Sequence, residues 1–233
     1  MTDATLQNTP MVRVYDRLAP RYDALHRRWL RFAGGEAQAA LEAAVRVAMT
    51  PGSTLLDAGC GTGRFARTLI REGIAPEQIT LMDASAAMLA QCADIPVCKR
   101  QGSLEALPFA PDTFDVVTCA WALETTAKPA DALRELCRVL RPNGALFLTF
   151  CAEKTAGDAM DWIMQKALKM RRTGRFLQTQ HVAYTLESEM GCRLRVLPCT
   201  GPAVTLFVRR SPHTGLGHVT GLSSGSPPEI RVA

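Results

Sequence analysis

The segment 55–66, LLDAGCGTGRFA, constrains the fold of this chain more than any other segment. An apolar run that ends in Asp57 is followed by three glycines at alternate positions, Gly59, Gly61 and Gly63. Glycine allows a sharp backbone turn and close approach to a ligand where a Cβ would collide. The residues that follow have a helical pattern, and a helix N-terminus offers free N–H groups and a partial positive charge. The segment therefore predicts a strand, a ligand-binding turn and a helix.

Strand and helix signals alternate along most of the chain. We predict strands at STLLDA, QITLMD, IPVCKRQ, TFDVVTCAWA, ALFLTFCA, CRLRVLPC and AVTLFVRR. Helices are predicted between them, at GRFARTLIREG, SAAMLAQCA and PADALRELCRVL. This alternation predicts an α/β fold whose mostly parallel sheet carries helices on both faces, with one antiparallel strand near the C-terminus. In such sheets ligands bind at the carboxyl ends of the strands, where the strand order reverses.

The 233 residues are enough for one sizeable core. We predict a flexible N-terminus over 1–10 and a single domain over 11–210. Within that domain, 11–50 has a helical pattern and 153–190 forms a helical insertion after the fifth strand. The closing segment 211–233 is rich in Gly, Ser and Pro and is predicted to be a disordered tail.

Composition excludes several classes of protein. Hydrophobic residues make up 47% of the chain, and its apolar runs are much shorter than the ~20 residues of a membrane-spanning helix. The N-terminus lacks the pattern of a secretory signal, so we expect a cytoplasmic protein. The eight cysteines include no C-x-x-C pair, so we expect neither a metal site nor a disulfide framework.

The net charge of +5 comes from two segments. Residues 11–32 carry a net +4 and residues 158–176 a net +3, so the remaining chain carries −2. Both segments also contain bulky apolar side chains, such as Trp29 and Phe32 in the first and Trp162 and Leu168 in the second. That combination fits peripheral contact with an anionic membrane or an acidic substrate, and it is equally the pattern of a solvated basic helix face. The chain has no motif that reads nucleic acid, so we expect no nucleic-acid partner.

The glycine spacing distinguishes among nucleotide cofactors. A P-loop needs Lys and then Ser or Thr after its last glycine, whereas Arg64 and Phe65 stand there. The dinucleotide fingerprint G-x-G-x-x-G would place its third glycine at Arg64. Asp83 ends the second predicted strand, 20 residues after Gly63, where a carboxylate suits hydrogen bonds to ribose hydroxyls. The pattern indicates a nucleoside pocket without a diphosphate.

Five segments carry a resemblance to a known family: YDRLAPRYD, LLDAGCGTGRFA, LMDASAAMLA, GSLEALPFAPDTFDVVTC and ALRELCRVLRPNGALFL. In this order they resemble the class I S-adenosylmethionine-dependent methyltransferases. The most similar subgroup, methyltransferase type 11, includes ubiquinone/menaquinone C-methyltransferases and bacterial phospholipid N-methyltransferases. The resemblance runs from about residue 12 to residue 210. It implies a Rossmann-like doubly wound sheet, S-adenosyl-L-methionine as cofactor, an N-terminal lid over 11–50 and a substrate cap over 153–190.

The resemblance also implies a set of cofactor-binding residues: Tyr15, Tyr22, Asp57, Gly59, Gly61, Gly63, Asp83, Ala84, Met88, Ser103, Leu104, Cys119 and Trp121. Asp57 and the glycines would line the methionine part, and Asp83 would bind the ribose. Cys119 and Trp121 would lie beside the sulfonium. Ser103 stands where the family usually has an Asp for the adenine amino group, and a serine accepts that hydrogen bond more weakly than a carboxylate does.

Three residues are candidates for catalytic roles. The cofactor supplies an electrophilic methyl group, so the protein has mainly to align the acceptor and exclude water. Glu124, directly after the fourth predicted strand, could attract a cationic amine or accept a proton. His181 in QTQHVAY is a second candidate base, and Tyr22 of the lid is the third candidate.

We therefore expect an S-adenosylmethionine-dependent methyltransferase with a small-molecule or amphiphilic acceptor. The basic segments 11–32 and 158–176 make a phospholipid amine headgroup the leading candidate, with peripheral contact to an anionic membrane. The alternative is C-methylation of a quinone-like ring. A third hypothesis, suggested by Ser103, is a cofactor-binding assembly or regulatory factor without turnover.

Overall fold

The computed structural model describes residues 9–153 and 176–211. Residues 1–8, 154–175 and 212–233 lie outside the described part of the chain. Most of the predicted cap insertion, its basic segment and the predicted tail therefore also lie outside it. The predicted division into one domain with flexible ends stays a prediction.

Seven strands form one sheet: β1 (Leu55–Ala58), β2 (Ile79–Asp83), β3 (Cys98–Gln101), β4 (Phe114–Ala120), β5 (Leu140–Cys151), β6 (Arg193–Leu197) and β7 (Ala203–Arg209). Their order across the sheet is β3-β2-β1-β4-β5-β7-β6. Strands β1 to β5 pair in parallel, whereas β7 is antiparallel to both β5 and β6. The predicted sheet, mostly parallel with one antiparallel strand near the C-terminus, is confirmed.

Helices among the described residues are α1 (Pro10–Leu18), α2 (Tyr22–Trp29), α3 (Gly35–Ala48), α4 (Arg64–Arg71), α5 (Ala86–Ala90), α6 (Pro129–Val139) and α7 (Thr179–Tyr184). Successive side chains of a strand point to opposite faces of the sheet. Accordingly, Leu55 of β1 belongs to a core cluster with Leu41 of α3, and Leu56 to a second cluster with Leu133 of α6. Both faces of the sheet are therefore covered, as the buried, non-alternating strands predicted.

The N-terminal helices form a bent arm rather than one rod. Helix α1 begins at Pro10, inside the predicted flexible segment, because the Oγ1 of Thr9 accepts a hydrogen bond from the N–H of Val12 at 3.3 Å. A short 3₁₀ turn over Ala19–Arg21 separates α1 from α2, and it contains Pro20, which cannot continue an α-helical hydrogen-bond ladder.

The sheet reverses its strand order between β1 and β4. From β1 the chain proceeds to β2 and β3 on one side, and then returns to β4 and β5 on the other. A crevice at the carboxyl ends of such strands is the usual ligand site of doubly wound sheets. The glycine segment follows β1 and therefore lies at this crevice.

Candidate active site

The glycine turn packs tightly at the carboxyl end of β1. Gly59 has a φ of +76°, and a Cβ there would come within 2.4 Å of the Cβ of Ala122. Gly63, the N-cap residue directly before α4, has a φ of +72°, and a Cβ there would lie 2.5 Å from the Cδ1 of Ile95. Both positions need glycine for the left-handed backbone and for the close contact. Only with glycine can the turn stay this close to the strand ends.

Asp83 is fixed at the end of β2 by two backbone donors. Its Oδ2 accepts a hydrogen bond from the N–H of Gly61, and its Oδ1 accepts one from the N–H of Ser85, each at 2.8 Å. Burial raises the pKa of Asp83, and these backbone hydrogen bonds oppose the rise. A carboxylate has about four acceptor positions, so Asp83 can still accept from a hydroxyl group of a ligand.

A cavity of about 440 Å³ opens beside the glycine turn and Asp83. Its size lies within the range of small-molecule sites, roughly 300–1,000 Å³. Most of the predicted cofactor residues line it, namely Tyr15, Tyr22, Gly59, Gly61, Asp83, Ala84, Met88, Ser103, Leu104 and Trp121. Three do not: Gly63 and Cys119 are packed against core side chains, and Asp57 lies beneath the cavity wall.

Asp57 has an unsatisfied oxygen. Its Oδ1 accepts a hydrogen bond from Thr118 at 2.9 Å, whereas its Oδ2 has no partner among the described residues. Burial is the main reason that its pKa rises to about 7. A buried polar atom without a partner costs free energy. The cationic amino group of S-adenosylmethionine could supply that partner, so this observation fits the predicted role of Asp57.

The adenine end of the cavity is less polar. Met82 and Met88 line it, and Leu104 lies on the neighbouring segment. The Oγ of Ser103 accepts a hydrogen bond from the N–H of Glu105 at 3.1 Å, which fixes this hydroxyl at the cavity wall. The serine is therefore placed where the family resemblance requires a polar atom, and its role toward adenine stays a prediction.

Five aromatic rings form a continuous cluster, the aromatic wall: Tyr15, Tyr22, His26, Trp29 and Trp121. Of these, Tyr15, Tyr22 and Trp121 line the cavity. Tyr22 stacks on His26 with ring centroids 5.5 Å apart and an interplanar angle of 11°. His26 and Trp29 each meet Trp121 edge-on, at 6.3 and 5.8 Å. His26 and Trp29 are not among the site residues predicted from the sequence, although the four-residue spacing of Tyr22 and His26 puts these two on one helix face.

Trp121 is held in an unusual backbone conformation. Its φ is +59°, which is rare for a bulky residue and marks local strain. Its backbone N–H donates to the carbonyl oxygen of Thr149, and its indole Nε1 donates to the Oε1 of Gln38, both at 2.7 Å. Gly34 leaves room for the ring, since a Cβ there would approach it to 2.8 Å. The Trp121 ring is therefore fixed in one orientation at the cavity.

Glu124 is a buried carboxylate close to the aromatic wall. Its Oε1 accepts a hydrogen bond from the N–H of Cys151 at 3.3 Å, and its Oε2 has no partner among the described residues. Burial raises the pKa of Glu124 to about 7. The charge of Glu124 in turn contributes to raising the pKa of Tyr15 and Tyr22, after the larger effect of burial. It does not itself line the cavity.

The other two candidates for catalysis occupy different environments. Tyr22 lines the cavity, and burial keeps its pKa far above the ordinary value, so its hydroxyl is a hydrogen-bond donor at neutral pH. His181 is an exposed residue of α7 and does not line the cavity. The structure brings Tyr22 to the site and leaves His181 outside it. His26, which stacks on Tyr22, has its pKa lowered to about 4, mainly by burial.

The described residues contain neither a candidate metal-binding cluster nor a candidate membrane-spanning helix. Over residues 9–153 and 176–211, no group of three or more His, Cys, Asp or Glu could hold a metal ion. No helix within the same ranges is long and apolar enough to cross a membrane.

The cysteines are free thiols, and Cys98 is exposed, unlike the buried Cys92, Cys119, Cys137 and Cys192.

The sequence of this chain matches a protein-family model and also individual relatives. A family model described as a methyltransferase domain matches residues 56–148. A demethylmenaquinone methyltransferase of Mycobacterium marinum is 31% identical over 202 residues, which covers 81% of this chain and 81% of that protein. A demethylmenaquinone methyltransferase of Lactiplantibacillus plantarum is 29% identical over 199 residues, covering 76% and 77% of the two chains.

Solved structures match the fold. A Thermotoga maritima structure described as "SAM-dependent methyltransferase, possible histamine N-methyltransferase" has a TM-score of 0.64 at 19% identity, and the match covers 85% of this chain and 99% of that one. A SAM-dependent methyltransferase from Aquifex aeolicus has a TM-score of 0.52 at 19% identity, covering 68% and 82%. At this identity the similarity concerns the Rossmann-like fold alone.

Proposed function

This chain belongs to the class I S-adenosylmethionine-dependent methyltransferases, and we propose that it transfers the methyl group to a ring carbon of a quinone-type acceptor. The observation that carries the choice of acceptor is the similarity to demethylmenaquinone methyltransferases over about four fifths of the chain. It favours the quinone alternative over the phospholipid amine that the basic segments suggested, and it favours an enzyme over a factor without turnover.

The aromatic wall supports a flat acceptor. Tyr22 and Trp121 line the cavity with ring surfaces, and aromatic rings prefer offset-stacked or edge-on partners. An aromatic surface also attracts cationic amines. A cation would gain from a neighbouring negative charge, but Glu124, whose pKa lies near 7, is only partly ionised at neutral pH. The site therefore suits a neutral ring better than a cationic headgroup.

The residues have three tasks in such a reaction. S-adenosylmethionine supplies an electrophilic methyl group. Tyr15 and Tyr22 remain protonated at neutral pH, so their hydroxyls could donate hydrogen bonds to the oxygens of a hydroquinone. Trp121, fixed by Gln38, would set the plane of the ring, which contributes to catalysis through orientation.

C-methylation replaces a ring hydrogen by methyl and releases one proton, so a proton acceptor is needed. We assign this task to Glu124, whose Oε2 is unpartnered among the described residues. Because Glu124 does not itself line the cavity, the proton would reach it through a hydroxyl of the neighbouring, cavity-lining Tyr15 or Tyr22. Its pKa of about 7 suits a general base at neutral pH. His26 is the alternative, since its ring stacks on the cavity-lining Tyr22 and stays neutral above about pH 4.

The pH dependence of turnover distinguishes these two groups. A base at Glu124 gives a kcat that is half-maximal near pH 7 and levels off about one pH unit higher, because only the carboxylate accepts a proton. A base at His26 gives a kcat that is flat from about pH 5 upward. Measurement with saturating cofactor and acceptor from pH 5 to 9 separates the two.

Product analysis tests the acceptor itself. The full chain is incubated anaerobically with methyl-labelled S-adenosylmethionine and either a reduced, short-chain demethylnaphthoquinone or phosphatidylethanolamine in detergent micelles. We expect label on the naphthoquinone ring carbon, located by NMR and mass spectrometry. Label on the amine alone would overturn the quinone proposal and restore the phospholipid one.

A peripheral membrane contact of 11–32 is a further proposal. Leu25 and Phe32 are 43% and 65% exposed and lie seven residues apart, and Arg28 and Arg31 are exposed near them. Apolar side chains among arginines suit an anionic bilayer, in which an acceptor with an apolar tail would dissolve. We expect the chain to sediment with phosphatidylglycerol vesicles at low salt, and Leu25→Glu with Phe32→Glu to abolish this. Absence of sedimentation of the wild-type chain would refute the contact.

A further inference from the structure

The lid contains a dipeptide repeat that its tyrosines explain only in part. Tyr-Asp occurs at 15–16 and again at 22–23, seven residues or two helical turns later. Tyr15 and Tyr22 line the cavity. Neither aspartate lines it, so the acidic half of each dipeptide has a different task.

Asp16 binds the segment that follows the ribose-binding carboxylate. Its Oδ1 accepts a hydrogen bond from the Oγ of Ser85 at 2.5 Å. Ser85 is 1% exposed, its N–H donates to Asp83, and its Oγ accepts from the N–H of Met88 at the start of α5. Helix α1 is thus joined by one hydroxyl to the loop that holds Asp83.

Asp23 makes the equivalent contact with the glycine turn. Its Oδ1 accepts a hydrogen bond from the Oγ1 of Thr62 at 2.5 Å. Thr62 is 4% exposed, and its carbonyl oxygen accepts a hydrogen bond from Arg67 at 2.6 Å, which fixes the residue from the other side. Helix α2 is thus joined to the turn whose Gly61 donates to Asp83.

Both contacts converge on the same carboxylate. One oxygen of Asp83 binds Ser85, the residue that holds Asp16, and the other binds Gly61, the neighbour of the residue that holds Asp23. The two hydroxyls are buried, and hydrogen bonds to a carboxylate are roughly twice as strong as neutral ones. The closed lid is therefore attached on both sides of the group predicted to bind the ribose.

We propose that Asp16 and Asp23 are positioning residues that hold the lid closed through Ser85 and Thr62, and that the two contacts together limit the rate at which the cofactor and its product leave. Tyr15 and Tyr22 form part of the cavity wall, so movement of α1 and α2 away from the sheet would widen the opening through which the cofactor leaves. That movement breaks both hydrogen bonds. The same closure places the tyrosines of the aromatic wall, so the acceptor site is complete only when the lid is attached.

Dissociation of S-adenosylhomocysteine tests this proposal without any acceptor. The dissociation rate constant is measured by stopped-flow tryptophan fluorescence after displacement by excess S-adenosylmethionine. We expect Asp16→Ala and Asp23→Ala each to raise it about tenfold, the loss typical of one hydrogen bond to a charged group. We expect the double variant to raise it about a hundredfold, because the contacts lie on separate helices.

Four companion variants separate positioning from general destabilisation. Thr62→Val removes the hydroxyl at constant shape and should match Asp23→Ala, and Asp23→Ala with Thr62→Val together should be no faster than either alone. Asp23→Asn keeps an acceptor oxygen and should restore most of the slow dissociation. Asp131→Ala removes an exposed carboxylate of α6 and is the matched control, expected to leave the rate unchanged. Thermal unfolding of each free variant measures its structural effect.

Two outcomes overturn the proposal. One is a rate within twofold of wild type for both aspartate variants when their melting temperatures show a folded protein. The other is additivity of Asp23→Ala and Thr62→Val, which would mean that the two side chains act independently. Neither outcome bears on the identity of the methyl acceptor, since no acceptor is present.

Discussion

The two sides of the cavity are built in different ways. The cofactor side, which consists of the glycine turn and Asp83, is held by backbone conformation and backbone N–H donors within two short segments. The proposed acceptor side, which consists of the aromatic wall and Glu124, is assembled from helices and loops far apart in sequence. On this proposal the cofactor-binding turn and Asp83 come from two segments of fixed backbone, whereas the acceptor contacts depend on the packing of several distant elements.

The largest effect is expected on the cofactor side, for Gly59→Ala. A Cβ at Gly59 would collide with Ala122 in a left-handed backbone, so we predict that binding of S-adenosylhomocysteine weakens at least a hundredfold. Isothermal titration calorimetry measures this affinity. The matched control is Gly52→Ala, where φ is +85° and no atom lies within 4 Å of the new Cβ.

The control separates strain from collision. Gly52→Ala should lower stability by roughly 1–2 kcal/mol through backbone strain and leave the affinity unchanged. If the Gly59→Ala variant binds S-adenosylhomocysteine as tightly as the Gly52→Ala variant, then close packing at Gly59 is not required for cofactor binding.

The second prediction concerns Glu124 on the acceptor side. Glu124→Gln keeps the size and the oxygen that accepts from Cys151, but it removes the basic carboxylate. We expect kcat to fall by about 10²–10⁴ and the rise of kcat toward pH 7 to disappear. The affinity for S-adenosylhomocysteine should remain, which separates the two sides. An unchanged kcat would transfer the task to His26.

The third prediction concerns stability, because the same burial raises the pKa of Glu124 in the folded state. The unfolded state loses its proton near the ordinary pKa of 4.5, and the folded state near 7. The folded state therefore binds more protons between these values, and the contribution of Glu124 to stability is lost as pH rises through that window. By this reasoning Glu124→Gln should be more stable than wild type at pH 8, by up to about 3 kcal/mol.

Urea unfolding at pH 4.5 and pH 8 measures this difference. The advantage of Glu124→Gln should nearly vanish at pH 4.5, where the wild-type carboxyl is protonated in the folded state and about half protonated in the unfolded state. The pKa of Asp57 is also raised to about 7, which lowers stability as pH rises in the same way. The Glu124→Gln variant should therefore still lose some stability between pH 4.5 and pH 8. Equal stability of the two proteins at both pH values would contradict a protonated Glu124 in the folded state.

The same contrast explains how far the sequence could predict the site. Gly59, Gly61 and Asp83 were identified from spacing because a tight turn and a strand end are local features. Glu124 followed from its position after β4, although spacing could not indicate that its side chain is buried beneath the wall. His181 was proposed from residue type alone, and it lies on an exposed helix face.

Long-range contacts were not predictable in this way. Ser85 and Asp16 are 69 positions apart, and Trp121 and Gln38 are 83 apart. The periodicity of a helix or strand does not indicate which distant residues will be in contact, because these contacts depend on how α1 to α3 pack on the sheet. The alternation of strands and helices predicted the sheet and its antiparallel strand, and the order of the motifs predicted the cofactor. Neither pattern contains information about which molecule accepts the methyl group.

The smallest expected effect tests the fixed orientation of Trp121. Gln38→Met keeps the length of the side chain and removes the acceptor of the indole N–H, while the carbonyl of Thr149 still holds the strained backbone. One neutral hydrogen bond contributes about 1 kcal/mol, so we expect KM for the acceptor to rise about fivefold with unchanged affinity for S-adenosylhomocysteine. Gln38 also donates to Glu42, and Glu42→Met, which removes that acceptor at similar length, is the control for that contact. An equal loss of cofactor affinity in Gln38→Met would show that the two sides of the cavity are not separable at this residue.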